Sequence, residues 1–160
     1  MKFEQFQFLM ERVLEQGEGE MPAAGQVSAL AQAYIGDAVF SLYVRTRLLT
    51  REHNKVHILH SYDSRMVSAA FQAKGYRAIE ADLSDEEAAV VRRGRNAKST
   101  VPKSATVAEY RASTGVEALL GFLYLDQRQQ RLQELLDCLF VAIIAEVKPA
   151  GTRKSRRADQ

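Results

Sequence analysis

An aspartate among apolar residues is the first group in this sequence that could do chemistry. Asp37 lies within residues 33–40, and its helical neighbours three and four positions away carry no positive charge. A carboxylate in apolar surroundings is costly unless its charge is neutralised, and a bound divalent cation is one way to neutralise it. A hydrogen bond to a buried hydroxyl or to an Arg side chain explains the pattern equally well.

Glu117 precedes a second apolar run and also lacks a cation at helical spacing. Gly36 and Gly121 lie beside, or one turn from, the two acids. Because glycine inside a helix costs about 1 kcal/mol relative to alanine, these glycines indicate close approach of another backbone or of a ligand. A structural interpretation competes: residues 114–117 have the form of a helix capping box, with Glu117 as its acid. The pattern alone slightly favours the cap.

A basic segment, residues 92–103, holds five cations and no acid. Its candidate nucleic-acid-binding residues are Arg92, Arg93, Arg95, Asn96, Lys98 and Lys103. Positive charge, forked donors and accessible backbone amides suit a phosphate backbone, although such a loop can also be a solvated surface. Residues 97–100 resemble the end of a nucleotide-binding P-loop, but Ala97 and Arg92 replace the required glycines. No nucleotide cofactor is therefore predicted.

Helical periodicity dominates the chain, and no segment alternates as a strand does. We predict an all-α domain of about six or seven helices. The predicted helices cover about 3–16, 27–49, 55–73, 84–93, 106–125 and 128–147. Ser84 with Glu87, and Thr106 with Glu109, form capping boxes, and Asn54 is a plausible cap for the helix that ends near Gly75. We divide the chain into an N-terminal helix and linker (1–26), a main domain large enough to hold a catalytic site (27–147) and a basic tail expected to be disordered (148–160).

The composition indicates a cellular compartment but does not indicate a binding partner. The formal net charge of the 160 residues is only +2, so a polyanion site has to be local. The single cysteine, Cys138, lies among leucines, which favours a buried packing role and is compatible with a reducing compartment. Neither a signal peptide nor a membrane-spanning stretch is evident, so no membrane partner and a cytoplasmic location are expected.

Three segments, in this order, resemble the catalytic domain of the ribonuclease III family, in its Mini-ribonuclease III type. Residues 34–40 look like the signature helix of that family, residues 92–103 like its basic loop, and residues 110–125 like its second acidic helix. The similarity spans about residues 27–140. The combination is specific, whereas one segment alone would not be.

The resemblance implies an all-helical homodimer that cuts double-stranded RNA with Mg²⁺, leaving 5′-phosphate and 3′-hydroxyl ends. Asp37 and Glu117 match the catalytic, metal-binding acids, and Tyr34 matches an aromatic residue at the dimer interface. Larger members of the family have two further acids, where this chain has Ala33 and Thr114. The usual substrate in the family is a ribosomal RNA precursor, here the 23S precursor.

Two other functions fit the residues. One is a non-catalytic, RNA-binding ribosome-assembly factor built on a ribonuclease III-like fold, which the missing acids at positions 33 and 114 keep open. The other is a helical protein-interaction domain with a solvated basic loop. Cleavage of duplex RNA that requires magnesium separates the first of these from a nuclease, and salt-sensitive RNA binding separates the second.

Overall fold

A computed structural model describes residues 10, 13, 21–53 and 55–147. Six α-helices lie within these residues and no strand does, which confirms the predicted all-α class. The helices are α1 (Ala29–Leu49), α2 (Val56–Met66), α3 (Ala69–Ile79), α4 (Asp85–Asn96), α5 (Val107–Leu125) and α6 (Gln129–Glu146). Short 3-10 turns cover Ala24–Gln26 and Glu80–Asp82. No helix in the described part is long and apolar enough to cross a membrane.

Helix α5 forms the centre of the domain. It packs against α1, α3 and α4, and more lightly against α6. Most of its residues from Ser113 to Leu123 are buried, including Leu119, Leu120 and Leu123, none of which is exposed at all. A helix that is apolar on most of its circumference has to be covered on most sides, and four neighbouring helices supply that cover. Side chains on α5 are therefore held in fixed positions relative to the elements around it.

Both predicted capping boxes are present. Ser84 accepts a hydrogen bond from the Glu87 amide at 3.3 Å, and the Glu87 carboxylate accepts one from the Ser84 amide at 2.8 Å. Thr106 and Glu109 make the same pair of bonds, at 3.2 and 2.9 Å. These bonds satisfy amides that a helix start leaves unpaired, and so they fix where α4 and α5 begin. Ser28 caps α1 in the same sense, accepting from the Ala31 amide at 3.2 Å.

The single helix predicted over 55–73 is wrong, because the chain turns between α2 and α3. Ser68 is extended (φ −68°, ψ 150°) and starts a new helix, which runs through Gly75 to Ile79. Gly75 does not end a helix. A Cβ atom there would lie 3.1 Å from side-chain atoms of Leu139 and Ile143, so the glycine allows close packing of α3 on α6.

Smaller differences concern ends and exposure. Helix α4 continues to Asn96 rather than stopping near Arg93, so the first part of the basic segment is helical. Cys138 is exposed, not buried, because it faces away from the neighbouring core leucines of α6. Asn54, most of the predicted helix over 3–16 and the tail over 148–160 lie outside the described residues.

Candidate active site

Two glycines bring helices α1 and α5 into direct backbone contact. A Cβ atom on Gly36 would overlap the carbonyl oxygen of Glu117 and would lie 2.8 Å from the amide nitrogen of Gly121. A Cβ atom on Gly121 would overlap the carbonyl oxygen of Gln32. The predicted close approach at these glycines is thus confirmed, and the other backbone is what approaches. Since Asp37 follows Gly36 directly, the crossing places the two acids beside each other.

The two carboxylates differ in exposure and in partners. Asp37 is exposed, and no hydrogen bond or ion pair to its carboxylate occurs in the described part of the chain. Glu117 is half-buried, and its Oε1 accepts a hydrogen bond from Nε2 of Gln72 at 2.9 Å. The structural interpretation of Asp37, a bond to a hydroxyl or to an Arg side chain, is therefore wrong within the described residues.

The capping interpretation of Glu117 is also wrong. Helix α5 begins after Thr106, so Thr114 lies in its interior. The backbone amides that follow Thr114 are already hydrogen-bonded within the helix and need no cap. The Thr114 hydroxyl instead donates to the carbonyl oxygen of Tyr110, one turn earlier, at 2.9 Å. The Glu117 side chain therefore does not serve as the acid of a capping box.

Burial raises the pKa of Glu117 to about 7 from its ordinary 4.5; the Gln72 hydrogen bond opposes this shift, while the negative charge of Asp37 adds to it. Each cause follows from geometry, since a half-buried carboxylate loses hydration and lies near a second negative charge. A pair of this kind is relieved by a proton or by a cation. Perturbed acids in such a setting are typical of functional sites.

The acid pair suits a metal that keeps most of its own water. No group of three or more His, Cys, Asp or Glu residues that could hold a metal occurs among the described residues. Mg²⁺ is bound in proteins by one or two carboxylates and retains several water molecules, so two hard oxygen ligands are enough for it. The residues present therefore fit Mg²⁺ and do not form an all-protein cage.

The basic segment lines two cavities that meet at Arg95. A groove of about 480 Å³ contains Arg92, Arg95 and Asn96, together with Tyr76 and Glu80. The Arg95 guanidinium lies 5.8 Å from the centre of the Tyr76 ring. A Cβ atom on Gly115 would lie 2.8 Å from Cγ of Arg95, so this glycine gives the Arg95 side chain room to pass over α5.

A second cavity, of about 210 Å³, abuts the acidic helix. It is lined by Arg95, Asn96, Lys98, Arg111 and Thr114, among others. Thr114 lies one turn before Glu117, so the cavity adjoins the acid pair through α5. Three cations converge on this cavity, and none of them forms an ion pair within the described residues. Cations without an ion-pair partner are available to bind a phosphate group.

The predicted basic set therefore divides into two. Arg92, Arg95, Asn96 and Lys98 line the cavities. Arg93 and Lys103 are exposed, but neither is among the residues that line these two cavities. Arg93 is displaced because it lies one residue from Arg92 on α4, which turns its side chain by about 100° around the helix.

Comparison with known proteins gives the family. The family model for the Ribonuclease III domain matches residues 30–128, which include both acids and the basic segment. The chain belongs to the ribonuclease III family. It is 46% identical over 121 residues to a Mini-ribonuclease 3 from Thermoanaerobacter sp. (strain X514), covering 75% of this chain and 84% of that protein. It is 49% identical over 108 residues to one from Symbiobacterium thermophilum, covering 67% and 83%.

A solved structure has a similar fold over most of the chain. A crystal structure of a protein from Fusobacterium nucleatum aligns with a TM-score of 0.67 and 31% sequence identity, covering 76% of this chain and 96% of that one. The Mini-ribonuclease 3 relatives and this structure all match the larger part of the chain. The resemblance drawn from residues 34–40, 92–103 and 110–125 is therefore confirmed at the level of the family.

Ala33 and Thr114, the positions at which the resemblance implies acids in larger members, are both buried, at 6% and 4% exposure. Two further residues of this region, Gln72 and Arg111, were not singled out by the sequence. Gln72 contacts Glu117 from a different helix, and Arg111 joins the cationic cavity from α5. No local signal marks Gln72, since its partner is 45 positions away in the chain. Arg111 is an isolated cation in its segment, and only the packing of α4 on α5 gives it basic neighbours.

Tyr34, the predicted interface residue, is exposed. With 78% of its surface accessible, it belongs to a stripe of exposed residues four positions apart on α1, namely Leu30, Tyr34, Ala38 and Leu42. The other helices of the described chain leave this stripe uncovered. This stripe borders Asp37, so a partner seated on it would lie next to the acids.

Proposed function

We propose that this endoribonuclease of the ribonuclease III family is magnesium-dependent and cleaves double-stranded RNA, leaving 5′-phosphate and 3′-hydroxyl ends. The observation that carries the proposal is the pairing of Asp37 with Glu117, without a cationic partner, next to a cavity of unpaired cations. Two neighbouring acids without a counter-charge can be neutralised by a metal ion, and cations without an ion-pair partner are available to phosphates. The natural substrate that we propose is the precursor of 23S ribosomal RNA, processed in the cytoplasm.

The chain's own residues divide the chemistry between them. Magnesium, when bound there, would supply an acidified water and neutralise negative charge on the phosphate. Asp37 and Glu117 supply the carboxylate ligands, and Glu117 has to lose its proton before it can do so. Arg95, Lys98 and Arg111 then hold the phosphates that flank the reacting bond. Because these cations are fixed on α4, α5 and the loop between them, the substrate is oriented before the reaction begins.

Recognition of a duplex requires shape more than sequence. An RNA helix has a deep, narrow major groove, so proteins contact its phosphates and 2′-hydroxyls across the shallow groove. Arginine forks, the Asn96 amide and the Ser99 hydroxyl on the cavity walls are donors of the kind such contacts need. The exposed position of Asp37 beside them leaves the acid pair open to a large substrate.

We also propose a twofold homodimer built on the exposed stripe of α1. The two strands of a duplex are related by twofold symmetry, so two identical sites can cut one strand each. Tyr34 suits such an interface, because it combines a large apolar area with a polar tip. A partner on this face covers Leu30, Tyr34 and Leu42, which the described helices leave exposed at 41%, 78% and 65%.

Electrophoresis of a long duplex RNA tests the activity directly. Purified protein should cut the duplex with magnesium chloride and leave it intact with EDTA, while a single-stranded RNA of the same sequence survives. The Asp37→Asn protein is the matched control. Duplex binding without cleavage under every condition would favour the non-catalytic ribosome-assembly factor. Absence of salt-sensitive RNA binding would favour the protein-interaction domain.

A further inference from the structure

Gln72 is a buried polar residue that joins three elements near the acid pair. It is 1% exposed, and its Nε2 donates to the carbonyl oxygen of Val67 and to Glu117 Oε1, both at 2.9 Å. Both partners are acceptors, so the orientation of the amide is fixed with its NH₂ group toward them. Val67 is the C-cap residue directly after α2, and Gln72 therefore ties the α2–α3 turn to the acid on α5.

The Glu117 carboxylate has no other hydrogen-bond partner in the described residues. Thr114 bonds to the backbone, and Asp37 repels Glu117 rather than holding it. A glutamate side chain has three rotatable bonds, and fixing them costs conformational entropy that some contact has to offset. Gln72 engages only Oε1, so Oε2 of Glu117 stays available to a ligand on the Asp37 side.

The carbonyl oxygen of the same amide has no partner. Oε1 of Gln72 is buried and has no hydrogen-bond donor among the described residues. A buried acceptor without a donor costs about 1–3 kcal/mol, so such atoms are usually completed by water or by a bound group. Gln72 therefore keeps its hydrogen bond to Glu117 although its own carbonyl oxygen stays unpaired.

We propose that Gln72 is a positioning residue of the metal site: it holds Glu117 through Oε1 and so orients the carboxylate that would bind the ion beside Asp37. The inference rests on the proposed function, because it requires the acid pair to bind a metal. It assigns Gln72 no contact with the reacting phosphate. Residues that orient metal ligands in this way typically change metal affinity by about 10–100-fold when they are replaced.

The chain offers a matched control in Gln32. It is also 1% exposed, its Nε2 donates to the Ala24 carbonyl oxygen at 2.8 Å, and its Oε1 is likewise buried without a partner. Its side chain makes no hydrogen bond to Glu117. Gln72→Met and Gln32→Met each remove one buried amide while keeping most of the volume, so a purely structural role predicts similar effects from both.

Thermal unfolding of the full chain over a series of magnesium chloride concentrations is the decisive measurement, with duplex RNA binding in EDTA as a second readout. Both variants should unfold at lower temperature than the parent. Only Gln72→Met should raise the magnesium concentration for half-maximal stabilisation, by tenfold or more. Binding of RNA in EDTA should stay within about twofold of the parent, since the amide does not touch the substrate. If Gln72→Met does not fold, Gln72→Asn keeps the amide but is too short to bridge Val67 and Glu117, and should show the same shift.

The possible failures are distinguishable. A parent protein that binds magnesium and cuts duplex RNA, with the same half-maximal concentration in the Gln72 variants, overturns the positioning role and leaves the proposed function intact. An equal shift in Gln32→Met reduces the effect to lost stability and overturns it too. A parent that neither gains stability from magnesium nor cuts RNA overturns the proposed function, and the role of Gln72 with it.

Discussion

Gly36 on α1 lies against the carbonyl oxygen of Glu117 on α5, with no room for a Cβ atom between them. The separation of the acids is thus fixed by backbone contact and not by side-chain packing. A Gly36→Ala substitution gains up to about 1 kcal/mol of helix propensity. It also forces two helices apart at the centre of the domain, and overpacking of this kind costs about 1–3 kcal/mol or more.

We therefore expect Gly36→Ala to lower the melting temperature and to reduce cleavage by more than its stability loss explains, because the acids no longer converge. Circular dichroism and a cleavage assay well below the melting temperature measure the two effects. Gly25→Ala is the control, since a Cβ atom there meets nothing within 4 Å. Normal activity in Gly36→Ala would show that the crossing does not set the site.

Removal of either acid should abolish cleavage without abolishing the fold. Asp37→Asn and Glu117→Gln keep the size of each side chain but remove the charge that a metal requires. Cleavage should fall by at least about a hundredfold, equivalent to about 2.7 kcal/mol of transition-state stabilisation. Duplex binding in EDTA should persist, which a filter-binding assay tests. A variant that cuts at the parent rate would remove that residue from the metal site.

The raised pKa of Glu117 predicts an unusual pH dependence. A group whose folded pKa of about 7 exceeds its ordinary 4.5 stabilises the fold at low pH, and that stability is lost as the pH rises through 7. In EDTA, Glu117→Gln should therefore be more stable than the parent at pH 8, by about 1–3 kcal/mol, and should not differ from it below pH 4.5.

Magnesium should reverse this order. The ion needs the ionised carboxylate, so its affinity should rise steeply as the pH passes 7 and should stabilise the parent more than the Gln variant. Denaturant melts at pH 5 and pH 8, with magnesium and with EDTA, provide the comparison. Equal stability of parent and variant at both pH values would contradict the raised pKa.

The sequence was sufficient for the all-α class, for the two capping boxes and for the close approach at Gly36 and Gly121. Ser84 and Thr106 cap the starts of helices through hydrogen bonds to residues three positions later. A pattern this local can be recognised in the sequence. The same pattern at Thr114 misled, because a helix already running leaves no free amide to cap. A local pattern does not reveal which of two overlapping signals begins the helix.

The remainder depends on contacts between distant residues. The turn at Ser68 was missed because α2 and α3 continue one apolar pattern, and the turn becomes evident only when α3 is packed on α5 and α6. Gln72 reaches Glu117 across 45 positions, and Arg111 meets Lys98 across a cavity between α4 and α5. Such pairs are set by tertiary packing, and one sequence carries no periodic trace of them.

Among the basic residues, Arg95 should matter most for RNA binding, because it lines both cavities. Arg95→Ala should weaken duplex binding by about tenfold, corresponding to the roughly 1.5 kcal/mol of one charge-assisted hydrogen bond, and should lower the salt slope by about one. Alanine at Arg92, Lys98 or Arg111 should act in the same direction. Arg93 and Lys103, which line neither cavity, should matter less.

Filter binding between 50 and 200 mM salt checks this ranking. Arg51→Ala is a cation control, since Arg51 lines a separate surface cavity with Phe140 and Ile144. The salt slope should fall further as more cations are replaced, and it should fall furthest in the combined Arg92, Arg93, Arg95 and Lys98 variant. Each phosphate contact that is lost reduces the number of counterions released on binding. An unchanged slope in the combined variant would remove the segment from the RNA interface.

Dimer formation should depend on the exposed stripe of α1. Tyr34→Arg places a charge where 78% of an aromatic side chain is exposed, and a charge buried between two copies of one surface repels its own symmetry mate. We expect light scattering at micromolar concentration to give a dimer for the parent and a monomer for Tyr34→Arg. Val141→Arg on α6, where the valine is 66% exposed, should leave the dimer intact.

The same variant tests why the dimer exists. A monomer retains one acid pair, so Tyr34→Arg should still nick one strand but should lose coordinated cutting of both. A duplex labelled on each strand in turn separates nicks from double-strand breaks on a denaturing and a native gel. A parent chain that is monomeric and nevertheless cuts both strands at full rate would show that one acid pair, beside one α1 stripe, serves both strands in succession.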